Sequence, residues 1–385
     1  MKKIFMFVNV DWFFLSHRLP IAESAAARGF EMTVFADFTR PHKEETYNGF
    51  SFLQSPIGRV YDGLYSSCIE FFATLRLIKC ERPSLVHAVT IKPILFLGIV
   101  CLILRIPFIA SISGLGPGFS PASFEGKVRL LIIKSLYWLI FLPKKTKVIC
   151  QSLNDADVLI NAGLVSAEKI TMVPGSGVDL EEYLPRKCLG SDVTSVLMAS
   201  RLLAEKGVRE FCVAAGTITK KYDFNVYFSL AGPVDYDSPS SMSEEQVIEM
   251  CKSNNVQFLG NRSDLKDILA MTDIFVLPSY YAEGLPKVLL EAAACGCAVI
   301  TTDHPGCRDA IVSGSTGVLI PIKDSTALEN AFQSLLSDPE LVVSMGQAGR
   351  KIAEQRYCIS KVIDIHFSIY NDCSSAGENL RSKTN

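Results

Sequence analysis

No stretch of this chain is both long and apolar enough to suggest a membrane span. The longest candidate, residues 91 to 113, is divided by Lys92, Arg105 and Pro107. What remains uninterrupted, residues 93–104, falls short of the ~18–20 residues a span needs. Charge of one sign is also missing: 38 Lys and Arg stand against 40 Asp and Glu, so nucleic-acid binding has no global support. No G-x-G-x-x-G follows the first apolar segment, which argues against a dinucleotide-dependent dehydrogenase. The twelve cysteines show no zinc-like pairing, because Cys295 and Cys297 are too close together and lack a partner pair. Scattered thiols in apolar stretches (Cys101, Cys150, Cys212, Cys295) read as reduced and buried in a cytoplasmic protein. The opening "MKKIFMFVNV" starts like a signal peptide, but Asp11, His17 and Arg18 break the apolar region, so it reads as a first buried strand.

What is present is apolar residues, at 49% of the chain with a mean hydropathy of +0.26. That excess is either core or membrane-facing surface. At 385 residues two domains are the default. Short apolar strands ("KIFMFVNV", "EMTVFAD", "PSLVHAVT", "PFIASIS") alternate with helical stretches, and the second half repeats the theme from "SVLMASR" to "GVLIP". Such alternation predicts parallel sheets covered on both faces, hence two doubly wound α/β domains. Polar residues, Pro185 and Gly190 cluster between them. The expected division is one domain over 1–183 and a second over 184–358. A C-terminal helix over 359–371 should pack back on the first domain, followed by a flexible tail over 372–385. Ligands of such sheets sit at the carboxyl ends of the strands, so two facing domains would place the site in a cleft.

The stretch "EGLPKVLLE" holds Glu283 and Glu291 around a predicted helix start. Pro286 suits a first turn, where its missing N–H costs nothing. A helix start offers amide donors and partial positive charge to phosphate. Carboxylates do not bind phosphate; they bind hydroxyls. The stretch therefore predicts a ligand with phosphates in the middle and hydroxyls at both ends.

Charge is divided unevenly along the chain. Residues 1–180 hold 19 basic and 14 acidic side chains, and residues 181–385 hold 19 and 26. In "KVRLLIIKSLYWLIFLPKK", Lys127, Arg129, Lys134, Lys144 and Lys145 surround Leu, Ile, Tyr137 and Trp138. Basic residues beside aromatics on an apolar face suit an anionic membrane surface. A partly buried helix with solvated lysines is the alternative.

"ASRLLAEKG", "AGP", "VQFLG", "LPSYYAEGLPKVLLEAAACGCAVITTDHPGCRDAI" and "GVLIP" resemble the donor domain of family 4 glycosyltransferases, retaining enzymes of the GT-B fold. The likeness is strong over about residues 190–350. The first half is more diverged: "NVDWFFLSHRLPIA", "HAVTIKP" and "SGLGPGF" resemble a bacterial subgroup that builds O-antigen, capsule or other lipid-linked glycans. The resemblance implies that Glu283 contacts the donor sugar and Glu291 the nucleotide ribose. It implies that Gly284, Leu285, Pro286 and Lys287 hold the diphosphate, Arg201 and Lys206 neutralise it as it leaves, and backbone near Phe258 meets the base.

This sequence departs from that family in two places. "NVDWFF" replaces a glycine-rich turn after the first strand, and "SGLGPGF" has no histidine where many members have one. His17 and His87 are the nearby alternatives, with Lys92, Gly114 and Gly116 as further acceptor-side candidates. The pairs Asp155–Asp157 and Asp235–Asp237 look like metal-binding D-x-D motifs of another fold, but Arg201 and Lys206 already fill the cation role. No metal and no cofactor are expected beyond the nucleotide sugar. The expected partners are a nucleotide-sugar donor, a polyprenyl-diphosphate-linked glycan acceptor and an anionic membrane surface. The expected location is peripheral, at the inner face of the plasma membrane. A nucleotide-sugar epimerase of the same fold, or a non-catalytic membrane-associated glycan-binding protein, would share part of this pattern.

Overall fold

The computed structural model describes residues 2–39, 45–47, 49–58, 63–116, 119, 123–185, 193–236 and 238–381. The chain forms two compact units: Met1–Ser176 with Ser360–Asn385, and Gly177–Ile359.

Unit 1 is built on β1 (Lys3–Val10), β2 (Glu31–Asp37), β3 (Glu45–Tyr47), β4 (Phe50–Gln54), β5 (Leu85–Val89), β6 (Phe108–Ile112), β7 (Thr146–Cys150) and β8 (Ile170–Met172). They form one sheet in the order β3-β4-β2-β1-β5-β6-β7-β8, parallel except for β3. β5 and β6 are buried along their whole length, as strands covered on both faces must be. The connecting helices are α1 (Asp11–His17), α2 (Leu19–Ala27), α3 (Leu64–Glu81), α4 (Ile91–Leu104), α5 (Phe124–Phe141) and α6 (Leu153–Asn161). Phe5, Phe7, Val86 and Ala88 pack with Leu97 of α4 and with Tyr137, Ile140 and Phe141 of α5 in one core. Tyr137, expected at a membrane face, is thus a core residue with 0% exposure: its ring fills space under the sheet.

Unit 2 carries β9 (Thr194–Ala199), β10 (Val226–Ala231), β11 (Gln257–Gly260), β12 (Ile274–Leu277), β13 (Ala298–Thr302) and β14 (Gly317–Ile320), all parallel, in the order β11-β10-β9-β12-β13-β14. Its helices are α7 (Val208–Lys221), α8 (Glu244–Ser253), α9 (Leu265–Ala270), α10 (Lys287–Ala294), α11 (Ser325–Leu336) and α12 (Pro339–Ile352). Their starts follow local chemistry. Ser243 and Gln246 form a reciprocal capping box on α8, and Asp338 caps α12 ahead of Pro339.

The last helix, α13 (Ile359–Arg381), belongs to unit 1 from Ser360 on. Arg28 reaches Asp364 at 2.8 Å, and Phe30 packs near Phe367 and Tyr370. Helix continues through residues 372–381, where the sequence led us to expect the tail to begin.

Chain order reverses beside the first strand of each sheet: between β1 and β5 in unit 1, and between β9 and β12 in unit 2. Loops leaving the carboxyl ends of those strands part there and leave room for a ligand.

Candidate active site

In unit 2 the reversal point brings two distant loops together. Arg201 lies two residues beyond β9, and Lys206 ends a single 3-10 turn, Ala204–Lys206. Glu283 lies on the loop between β12 and α10. The loops are joined by backbone: Tyr280 N–H donates to Glu205 O at 2.8 Å. Gly207 makes the approach possible. Its φ is +80°, and a Cβ there would stand 2.3 Å from Pro278 O, so no side chain fits.

The site's cations arrive already partnered. Lys206, only 6% exposed, donates to Glu283. Arg201 donates to Asp235 at 2.5 Å. The ring of Tyr281 lies 5.7 Å from the Arg201 guanidinium and 5.2 Å from Lys206 Nζ, presenting a π face to both charges. Glu291, 6% exposed on α10, accepts from Tyr183 OH at 2.9 Å and pairs with Lys287 at 3.1 Å, both through Oε1. Lys287 therefore neutralises the carboxylate one turn along its own helix. Its sequence-based assignment was the diphosphate. α10 begins at Lys287, so Pro286 stands at the N-cap, one position ahead of the first turn. Gly284 and Pro286 are buried beside Leu285, which joins the core under the sheet. The side chain of Phe258 packs against the other core of unit 2, which leaves its backbone as the part able to face a base.

Cys307 lies within the influence of Glu283 and Lys206. Burial and then Glu283 push it up to about 11, so it stays protonated and is no nucleophile at neutral pH. Among the described residues no group of three or more His, Cys, Asp or Glu is placed to hold a metal. Asp155 is a buried residue of α6, and Asp235 serves Arg201. Asp237 lies outside the described residues.

In unit 1 the histidine candidates separate. His17 closes α1 beyond the carboxyl end of β1, half-buried, with its ring stacked on Phe13 at 4.3 Å. His87 does not face a ligand: it is 0% exposed, with Nδ1 2.9 Å from Tyr370 OH and Nε2 2.7 Å from Ser111 Oγ. Burial, then His366 and Arg18, hold its pKa well below the usual histidine value, so it is neutral. The period-2 alternation of β5 turns it away from Val86 and Ala88 and under α13. Lys92 donates to Gly58 O at 2.7 Å and pairs with Glu70 at 3.0 Å, so it ties two segments together. Gly114 and Gly116 adopt φ +124° and +66°. Most of the stretch beyond them, residues 117, 118 and 120–122, lies outside the described residues.

Sequence reasoning passed over three residues of these constellations. Tyr183 is 108 positions from Glu291, and no local pattern links them. Asp235 was visible only as half of a weak metal motif, although its place just beyond β10, the neighbour of β9, was a usable signal. Arg18 is the third. It is fully buried, its Nη2 lies 3.4 Å from Ser113 Oγ, and burial lowers its pKa to about 10.

Two doubly wound parallel sheets, one carrying a cation pair and two carboxylates at its reversal point, are the build of GT-B glycosyltransferases. Solved structures agree on the fold: sucrose-phosphate synthase from Thermosynechococcus elongatus matches with a TM-score of 0.79 at 20% identity, covering 98% of this chain and 100% of that one. The family model for glycosyl transferases group 1 matches residues 185–352, and that for glycosyltransferase family 4 matches residues 19–182. The chain is 33% identical to an N,N'-diacetylbacillosaminyl-diphospho-undecaprenol alpha-1,3-N-acetylgalactosaminyltransferase of Campylobacter jejuni, over 65% of this chain and 67% of that protein. It is 28% identical to a UDP-Gal:alpha-D-GlcNAc-diphosphoundecaprenol alpha-1,3-galactosyltransferase of Escherichia coli, over 77% of each. The chain belongs to glycosyltransferase family 4 and is a retaining glycosyltransferase that uses a nucleotide sugar.

Proposed function

We propose that this enzyme moves a hexose or N-acetylhexosamine from a UDP-linked donor to a glycan carried on a polyprenyl diphosphate. The step belongs to surface-polysaccharide assembly at the cytoplasmic membrane face. The observation that carries the donor half is the position of Arg201 and Lys206 on the loop beyond β9, against the loop that bears Glu283. The acceptor half rests on relatives whose names specify diphospho-undecaprenol acceptors.

Each residue then has a task. The donor diphosphate draws Arg201 and Lys206 away from Asp235 and Glu283. Glu283, released, accepts from sugar hydroxyls. Glu291 keeps Oε2 for the ribose, because Tyr183 and Lys287 both use Oε1. Amides near Gly284 and Leu285 meet the phosphates, and backbone near Phe258 meets the base. The acceptor hydroxyl oxygen bonds to the anomeric carbon on the face the diphosphate is leaving. The breaking C–O bond gives its electron pair to the phosphate oxygen, which takes the acceptor's proton. Arg201 and Lys206 stabilise the charge that develops there. No metal is needed, since the two cations do its work, and His17 serves on the acceptor side in unit 1.

The membrane-facing element is α5 with the residues after it. Lys127, Arg129, Trp138 and Lys144 are exposed, Lys134 and Lys145 half-buried, and Leu131 and Ile132 are 66% and 55% exposed. Among the described residues no helix is long and apolar enough to cross a membrane. Attachment would therefore be peripheral, with about 1 kcal/mol from each cation near an anionic surface.

The test is a panel of UDP-sugars with a polyprenyl-diphosphate-linked acceptor, in buffer containing EDTA. The expected result is one donor consumed and a lengthened lipid-linked glycan. Release of an isomerised free nucleotide sugar instead would identify an epimerase, and activity restored only by manganese or magnesium would overturn the metal-free mechanism. For the membrane, glutamine at Lys127, Arg129, Lys134, Lys144 and Lys145 should weaken co-sedimentation with anionic vesicles. Unchanged co-sedimentation would make α5 an ordinary surface helix.

A further inference from the structure

At the edge of unit 1 where β6 and β7 begin, opposite the carboxyl ends of its strands, lies a cavity of ≈ 270 Å³. Its buried lining comes from Gly98 and Cys101 of α4, Phe108 of β6, Ile140 of α5 and Thr146 of β7, whose hydroxyl donates to Ile140 O at 3.2 Å. Its remaining lining includes three cations: Arg105 and Lys144, both exposed, and Lys145, half-buried. No carboxylate lines it. The volume is below the roughly 300–1,000 Å³ of a pocket for a drug-sized ligand, so a nucleotide sugar is too large.

The ordinary explanations of these cations fail. Cations near helix ends usually serve the last carbonyls. At the end of α5 that task is done by Lys169, whose Nζ donates to Phe141 O at 2.7 Å and Leu142 O at 3.0 Å. Lys144 and Lys145 are left without that role, and neither forms an ion pair with another described residue. Burial pushes the Lys145 ammonium below its ordinary pKa, as expected of a cation near apolar surface without a counter-ion. Arg105 caps α4 at φ +57°, a left-handed position that glycine fills more easily. Next to lining residues in sequence, Ile103, Leu139 and Leu142 are 57%, 38% and 57% exposed. An apolar floor, a cationic mouth and exposed apolar residues around it match the two parts of an anionic lipid.

We propose that this cavity takes the headgroup-proximal part of one hydrocarbon chain of an anionic glycerophospholipid, with its phosphate held by Arg105, Lys144 and Lys145. The site is separate from the donor site and rests on the membrane reading of α5. It would fix which edge of unit 1 meets the bilayer, where surface attraction alone would leave the unit free to turn.

The test uses lipids as dispersed monomers, so that no membrane surface takes part. Binding of short-chain phosphatidylglycerol, short-chain phosphatidylcholine and glycerol phosphate to the full chain is measured by calorimetry. Three cations at the mouth should favour the anionic lipid over the zwitterionic one by at least about tenfold. Glycerol phosphate alone should bind far more weakly, since it has no chain to bury. Glutamine at Arg105, Lys144 and Lys145 should remove the preference, and Leu102→Trp, at a half-buried lining position, should block the chain. Should Leu102→Trp fail to fold, the triple glutamine variant, confined to the mouth, still decides. Equal binding of the two lipids, equal binding of glycerol phosphate, or no response to the triple variant would overturn the site. Glutamine at Lys127, Arg129 and Lys134, which do not line the cavity, should lower vesicle binding and leave monomer binding intact. Loss of monomer binding in that variant would overturn the separate cavity, whereas vesicle binding that survives it would count against α5 alone.

Discussion

At the carboxyl edge of its sheet, unit 2 holds Arg201 and Lys206, and each meets a carboxylate. At the same edge of its own sheet, unit 1 buries Arg18 with Nε and Nη1 lacking any hydrogen-bond partner among the described residues. Around Arg18 stand neutral groups: Tyr370, His87 and His366. The same architecture thus handles charge in two ways. Unit 2 keeps its cations paired with carboxylates, which in the proposed function a diphosphate would replace. A paired cation avoids the cost of lone burial until its ligand arrives. Unit 1 dehydrates His87 and His366 and keeps both neutral, and the His87–Tyr370 contact ties α13 to the sheet. Its cations gather instead on the outer surface of α5 and beyond.

The contrast can be broken most sharply at Lys206. Lys206→Ala should fold, because Glu283 is 22% exposed in its side chain and can turn to water. Loss of one preorganised group at a developing charge costs about 2.7–4 kcal/mol, or roughly 10²–10³ in kcat. Near-normal turnover by a folded variant would falsify the site. Acid should then separate the units. Burial lowers His366 to about 3 and His87 well below its usual value. Both native pKa values are depressed, so their contribution is complete above about 6.5 and is lost as the pH falls from there toward 3. Each histidine can cost up to about 1.4 kcal/mol of stability per pH unit in that window. Hydrogen exchange at pH 5 should show α13 and β5 losing protection before β9 and β12. Simultaneous loss in both units would sink this reading.

Smaller changes sharpen the comparison. Tyr370→Phe removes the hydroxyl from buried His87 and should lower unit 1 stability by about 1–3 kcal/mol. Its check is a fall in the unfolding midpoint, with KM for the donor unaltered. The smallest effect is expected for Tyr183→Phe. Lys287 still holds Glu291, so loss of one hydrogen bond should raise the donor KM by several-fold, about 1 kcal/mol, with kcat unchanged. A fall in kcat of the same size would place Tyr183 in the reaction itself.

Much of this protein was legible in its sequence. Alternation of apolar strands and helices predicted two doubly wound sheets, because strands covered on both faces must be continuously apolar. "SRLLAEKG" and "EGLPKVLLE" marked the loops that the structure brings together as the candidate donor site, because phosphate and hydroxyl recognition need fixed residue types close to a loop and a helix start. What failed was the orientation of side chains in continuously apolar elements. Tyr137 and Trp138 are adjacent, yet one is core and the other 52% exposed. His87 looked available on a loop and is sealed under α13, whose Tyr370 is 283 residues away.

The sequence by itself determined the class of fold, the residue types of the candidate donor site and the uneven distribution of charge. These follow from composition, period and short-range spacing. Only the tertiary structure decided who partners whom: Asp235 with Arg201, Tyr183 with Glu291 across 108 positions, and three cations around a cavity between α4 and α5. The physical reason is that pairing energy depends on distance in space and on exclusion of water, and neither is a property of position along the chain.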